Sequence, residues 1–278
     1  ADYAILRRNV VESFTRGMGL WYYDFGPANH TGWWIDTRLM AEIRRINGIL
    51  GRYHGKPYRP AGDVLFVFDT EVFYYTGTLR GSDPLTDAIA VNRTIGEAWR
   101  SGAAIETIHL SDLPKVELSR FRVVVMANTW VLTPGQRRFI REKVAPGRHV
   151  VFCGGVGYCD GSRLDVEFVR EVTGLLVERH NGPLEWPGVE PFGPYFTVGS
   201  EPPGVVRRGA VWMATVPPME ARQWREILRA AGAHLYVEED TVIHAGGGVV
   251  LLHSKDGGAR MLRLRSGKRV SVELPAKS

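Results

Sequence analysis

Residues 62–76 read GDVLFVFDTEVFYYT, in which Val64–Phe68 form an apolar run with no polar break. A strand with one face in water alternates apolar and polar residues. An unbroken run belongs to a strand covered on both faces, as in parallel sheets flanked by helices. The chain beyond keeps that texture. A helix is expected at about 84–101, followed by AIETIHLSDL (104–113) and FRVVVMANT (121–129). Next come a helix TPGQRRFIREKV (133–144), with Thr133 as cap and Pro134 in its first turn, the strand HVVFCGG (149–155) and a helix DVEFVREVTGL (165–175). Strands alternating with helices predict an α/β fold on an open doubly wound sheet.

Residues 181–204 hold six prolines and five glycines and read as an irregular excursion. AVWMATV (210–216) and a helix PMEARQWREILRAAG (218–232) resume the pattern and are expected back on the same sheet. From Ala233 the chain turns to short strands: HLYVEED, TVIHAGG, VVLLHSK, ARMLRLR and RVSVEL, with KDGG (255–258) as a hairpin signal. This is a small antiparallel β domain. Upstream, YAILRRNVVESFTR (3–16) spaces Ile5, Leu6, Val10, Val11 and Phe14 as a helix does, GLWYYDF (19–25) reads as a short strand, and DTRLMAEIRRINGIL (36–50) forms a helix capped by Asp36. Its apolar stripe is Leu39, Ile43, Ile46 and Ile49. The expected division is therefore 1–60, 61–232 and 233–278.

The 278 residues are 44% hydrophobic and 23% charged, with a formal charge of +5. That is globular composition. The arginines fall in scattered pairs, such as Arg44-Arg45 and Arg207-Arg208, rather than in one basic cluster with interleaved aromatics. A nucleic-acid partner is not expected. No apolar run approaches the roughly 20 residues that span a bilayer, so neither is a membrane. Two cysteines make no disulfide framework, which favours a reducing compartment such as the cytoplasm.

Both cysteines lie in FCGGVGYCDG (152–161). Their spacing is wrong for a redox pair, which keeps two residues between its cysteines, and no second ligand pair exists for a metal. Structural cysteines before a glycine-rich loop are the better reading. GGVG lacks the spacing and the lysine of phosphate-binding loops. The eight histidines are spread singly, and none is assigned to catalysis. No metal or cofactor is expected. Asp69 and Glu71 follow the first strand of the doubly wound sheet. There they either line the ligand crevice of such folds, or Asp69 only caps the next turn.

One more stretch carries chemistry: GLWYYDFGPANHTGWW (19–34). On a strand, Leu20, Tyr22 and Asp24 point one way and Trp21, Tyr23 and Phe25 the other. An Asp at the strand's carboxyl end, beside Trp33 and Trp34, can face a cleft. Aromatic faces around a carboxylate suit a sugar, whose C–H faces stack while its hydroxyls need acceptors. The alternative is plain hydrophobic packing with a surface Asp.

With these pieces in order, LRRNVVESFTRGMGLWYYDFGP and GWWIDTRLMAEI resemble the last βα unit of the (β/α)₈ barrel in bacterial proteins similar to family 42 β-galactosidases. DVLFVFDTEVFYY, VVVMANTWVLTPGQRRFIREKV and ILRAAGAHLYVEEDTVIHA look like the segments that come after the barrel in those proteins. These form a glutamine-amidotransferase-like trimerisation domain and then a small β domain. The resemblance implies a glycoside hydrolase of the retaining kind, with its two catalytic carboxylates at the ends of barrel strands 4 and 7. This chain resembles only the part that lies after strand 7, so no catalytic residue carries over. The end of strand 8 does carry over: Trp21, Asp24, Trp33 and Trp34 as sugar contacts. The amidotransferase-like part is expected to be non-catalytic, since no His here has Glu two residues later. The implied partners are a carbohydrate substrate, further copies of the chain, and a polypeptide supplying the rest of the barrel. A non-catalytic carbohydrate-binding or oligomerisation protein is the alternative, and a thiol-dependent amidotransferase a third reading.

Overall fold

A computed structural model describes residues 2–22, 36–75, 94–186, 189–216 and 220–276. Contacts divide the chain into two compact units, Ala1–Gly62 with Tyr236–Ser278, and Asp63–Leu235.

The first unit opens with two helices, α1 (Asp2–Thr15) and α2 (Thr37–Leu50). Asp36 caps α2 as expected, its carboxylate accepting the N–H groups of Arg38 and Leu39 at 2.9 and 3.0 Å. The buried stripe of α2 is Ile43, Ile46 and Leu50, one position beyond the expected Ile49 at its end. It meets Val10 of α1, with Leu6, Val11 and Phe14 packed alongside, whereas Ile5 stays exposed. Glu42 of α2 binds Arg7 and Arg45, each at 2.6 Å, and these hydrogen bonds hold its carboxyl down at about 2. Gly19–Tyr22 form no regular element, and Tyr23–Phe25 lie outside the described residues. Over its described part, then, the expected strand GLWYYDF is not one. A strand exists through its ladder, and no described strand runs beside these residues.

The second unit runs in chain order through β1 (Val64–Phe68), α3 (Thr94–Trp99), β2 (Ser101–His109), β3 (Val123–Met126), α4 (Pro134–Phe139), β4 (His149–Cys153) and α5 (Val166–Thr173). There follow β5 (Val177–His180), β6 (Leu184–Trp186), β7 (Val189–Phe192), β8 (Tyr195–Val198), β9 (Val205–Arg208), β10 (Val211–Ala214) and α6 (Ala221–Ala230). Within this unit the sheet strands are ordered β2-β1-β3-β4-β10-β9. All neighbours are parallel except β9, which runs antiparallel on β10. β10 thus returns to the sheet after the excursion, as the sequence leads one to expect.

The unbroken apolar run of β1 explains itself in this setting. Leu65 and Val67 face one side and pack with Val124, Met126, Phe152, Ile140 and Val169. Val64 and Phe66 face the other and pack with Val123, Val125, Trp224 and Leu228. Helices therefore cover both faces, with α5 on the first and α6 on the second. α4 begins with the expected cap: Thr133 Oγ1 accepts the N–H of Gln136, and the Gln136 side chain accepts that of Thr133. It continues as a π-helical turn, Ile140–Val144.

The Pro/Gly-rich excursion is more regular than its composition suggests. β5 pairs with β8 and β6 with β7, both antiparallel, so the segment is a nested hairpin. Strands of three or four residues give too short a period to read. Pro191 within β7 is tolerated in a two-stranded ladder, where one missing N–H leaves the pairing intact.

The chain then completes the first unit with β11 (Thr241–Gly246), β12 (Val249–His253), β13 (Gly258–Arg263) and β14 (Arg269–Leu274). β11 pairs with β12 and β13 with β14, so the hairpins turn at Gly247–Gly248 and at residues 264–268. KDGG instead joins the two ladders, which corrects the hairpin reading. Its glycine is needed for another reason: a Cβ on Gly257 would lie 2.8 Å from the carbonyl oxygen of Leu274. HLYVEED, expected as a strand, contributes only an isolated bridge at Leu235. α1 packs on β11 and β12, and there His244 is buried with its Nε2 3.9 Å from Glu12 Oε2.

Candidate functional site

The β2-β1-β3 order puts the connections leaving β1 and β3 on opposite faces of the sheet. In open α/β folds the crevice beyond the strands' carboxyl ends at such a point is where ligands bind. Three polar residues meet there, one from each strand end. Asn128, just past β3, accepts the N–H of Asp69 at 2.8 Å and donates its Nδ2 to the carbonyl of Asp69 at 2.7 Å. The amide clamps the ends of β1 and β3 together. Asp69 is only 3% exposed. Its Oδ1 accepts the N–H of Glu71 at 3.0 Å and lies 3.5 Å from His109 Nε2, at the end of β2. Burial pushes the Asp69 carboxyl above its ordinary value, against the opposing pull of the Glu71 N–H and of His109.

Asp69 caps the next turn and lies just past the carboxyl end of β1. Glu71 is exposed on the rim. The sequence alone did not single out His109, Asn128 and Thr129. Their signal was positional, each lying at or just beyond the carboxyl end of a predicted parallel strand. His109 Nε2 is 3.0 Å from Thr70 Oγ1, and its Nδ1 is 2.9 Å from Ser111 Oγ.

Cys153 closes β4 fully buried, and burial pushes its thiol up to about 12. Nucleophilic cysteines work as thiolates, which this environment withholds. The glycine loop after it is not an open cradle either. A Cβ on Gly155 would sit 2.7 Å from the ring of Phe196, so the residue is small because an aromatic ring packs against its backbone. Among the described residues no group of three His, Cys, Asp or Glu side chains could hold a metal.

Trp21 is 80% exposed, with Met18 and Leu20 exposed beside it. Asp24, Trp33 and Trp34 lie outside the described residues. No described helix is long and apolar enough to cross a membrane.

No family model and no curated protein sequence matches the chain. Solved structures do. A β-galactosidase from the psychrophilic Marinomonas ef1 superposes with a TM-score of 0.64 at 12% identity, over 99% of this chain and 48% of that one. The β-galactosidase of the Antarctic haloarchaeon Halorubrum lacusprofundi gives 0.62 at 15% identity, over 90% and 43%. Gan42B, a GH42 β-galactosidase from G. stearothermophilus, gives 0.60 at 12% identity, over 91% and 44%, in its catalytic-mutant form. An α-L-fucosidase from Paenibacillus thiaminolyticus also superposes, with a TM-score of 0.52 at 13% identity, over 98% and 49%. The chain spans less than half the length of each of these proteins, and over that span its fold is the mixed α/β fold of GH42 β-galactosidases.

Proposed function

We propose that this chain is the C-terminal part of a glycoside hydrolase of β-galactosidase-like type, whose catalytic carboxylates lie outside it. The observation that carries the reading is the coverage: nearly all of this chain superposes on β-galactosidases, and more than half of each of those has no counterpart here. In this reading residues 1–60 are the last βα unit of a TIM barrel, 61–232 a glutamine-amidotransferase-like domain of the trimerisation type, and 233–278 a small β domain. The contacts of α1 with β11 and β12 then join the first part to the third. Trp21, Asp24, Trp33 and Trp34 are the sugar contacts at the barrel's last strand. The exposed run Met18–Trp21 is where the other barrel strands dock, because apolar side chains gathered at a surface mark a partner.

The partners are a carbohydrate substrate, further copies of the chain, and a polypeptide carrying the remaining strands. The fold also occurs in a fucosidase, so it does not by itself select galactose. The test is twofold. The isolated chain is assayed against aryl β-galactosides and aryl α-fucosides, and the native particle is resolved into its subunits by intact mass. No turnover, together with a second barrel-bearing segment in the native particle, is the expected result. Robust turnover by the verified chain alone would sink the reading. A native particle of this chain only, inactive but retained on immobilised sugar, would favour a non-catalytic carbohydrate-binding or oligomerisation protein.

A further inference from the structure

We propose that the carboxyl edge of the Asp63–Leu235 sheet, at the ends of β1 and β3, is a binding site for a small neutral saccharide. Asp69 is its buried hydrogen-bond acceptor and Tyr74 its stacking surface. The inference does not rest on the barrel reading, since every residue it uses belongs to the other unit.

The Asp69 side chain is 4% exposed, yet only one of its oxygens is engaged. Oδ1 takes the Glu71 N–H and faces His109, while no described group hydrogen-bonds to Oδ2. An oxygen left unengaged on so buried a side chain is an acceptor that a ligand can take up. A buried atom without a partner stands at the neighbouring strand end. Thr129 Oγ1, next to Asn128, is buried and has no hydrogen-bond partner among the described residues. The Asn128 amide does not relieve either atom, because its oxygen and nitrogen both reach the Asp69 backbone. Two unused polar atoms therefore lie at adjoining strand ends: Asp69 Oδ2, at the crevice where this topology receives ligands, and Thr129 Oγ1, fully buried beside Asn128.

The surroundings narrow the ligand class. An anion would meet the carboxylates of Asp69 and Glu71. A metal ion lacks a third ligand among the described residues. An organic cation would find one oxygen of the carboxylate already turned to His109, 3.5 Å away. A hydroxyl donor suits Oδ2. The rim adds Thr70, Glu71 and Ser111, all exposed, and two aromatic rings in the turn after Asp69, Tyr75 and the 88% exposed Tyr74. A few convergent polar groups beside apolar rings are the makings of a small-molecule site, and acceptors with flat rings match a sugar's hydroxyls and C–H faces.

The test is amide chemical-shift mapping on the full ¹⁵N-labelled chain, titrated with methyl β-D-galactopyranoside, D-galactose and, as a control, glycerol. Saturable shifts are expected at Asp69–Tyr75 and at Asn128–Thr129 with the two sugars and not with glycerol. In Asp69→Asn the amide oxygen keeps the Glu71 N–H and the NH₂ replaces the free acceptor, so binding should weaken at least about tenfold. Tyr74→Ala, at an exposed position that the fold does not need, should weaken it several-fold with the thermal midpoint unchanged. Absence of saturable shifts at these amides, equal shifts with glycerol, or wild-type binding by Tyr74→Ala would overturn the site. Shifts confined to Gly19–Tyr22 would overturn it too while supporting the sugar contacts proposed for the N-terminal strip, so the two readings fail separately.

Discussion

The thiol of Cys153 shares an apolar layer with Val151, Ala214 and Trp224, and that layer governs its reactivity. Iodoacetamide should leave Cys153 unmodified in the native chain and modify it after guanidinium unfolding, as read by peptide mass spectrometry. Rapid native alkylation would contradict the burial. His244 shows the same effect with opposite sign. Its ring is buried against α1, and burial pushes it down to about 4, with the opposing pull of Glu12 outweighed by burial together with Arg16, Arg8 and His253. The unfolded chain binds this proton near pH 6.5 and the folded chain only near pH 4. Its contribution is therefore complete above pH 6.5 and falls as pH drops from there to about 4, by roughly 3 kcal/mol in all. Urea unfolding at pH 7 and pH 4.5 should show this loss, and His244→Leu should remove most of it. An unchanged pH dependence in that variant would assign the loss to other groups.

At the scale of the element, α6 owes its place to Trp224, which is fully buried and packs on Phe66 of β1 with ring centroids 5.7 Å apart. Trp224→Ala should cost about 3–5 kcal/mol. Its Nε1 is buried without a hydrogen-bond partner among the described residues. Trp224→Phe, which removes that orphan donor, should therefore cost at most about 1–2 kcal/mol. Equal losses in the two variants, measured by urea unfolding, would show that the ring's size alone matters.

Elements of this sort were legible in advance because period and length act together. Val64–Phe68, the Thr133 cap and the helix of Trp224 each carry a local pattern that tertiary packing merely uses. The nested hairpin of 177–198 was not legible, since its strands are shorter than the window in which alternation becomes visible. KDGG misled for another reason: a turn signal fixes local backbone, not which strands pair on either side of it. The crevice was half legible. Asp69 could be read from its place after β1, but His109 and Asn128 acquire meaning only once strand order sets β2 and β3 on either side of β1.

For the whole molecule, the proposed trimerisation-type domain predicts self-association. Light scattering at micromolar concentration should give a particle larger than one chain, and a strict monomer would count against that part of the proposal. The chain order of the two units has a separate consequence. The N–H of His234 donates to Asp63 Oδ2 at 3.1 Å, so the Asp63–Leu235 unit begins and ends at one spot. A fragment of residues 63–235 should therefore fold alone, with the native-like near-ultraviolet spectrum of a packed core. The other unit has no such independence in time. Val10, Ile46 and Leu50 pack with Val249, which is made only after the 173 residues of the intervening unit. At about 5–20 residues per second that is a wait of roughly 9–35 s. On the ribosome the first two helices therefore hold an unfinished apolar stripe while a whole domain is synthesised and folds. Slower codons within 63–235 would lengthen that interval and lower the soluble yield of an unchanged protein.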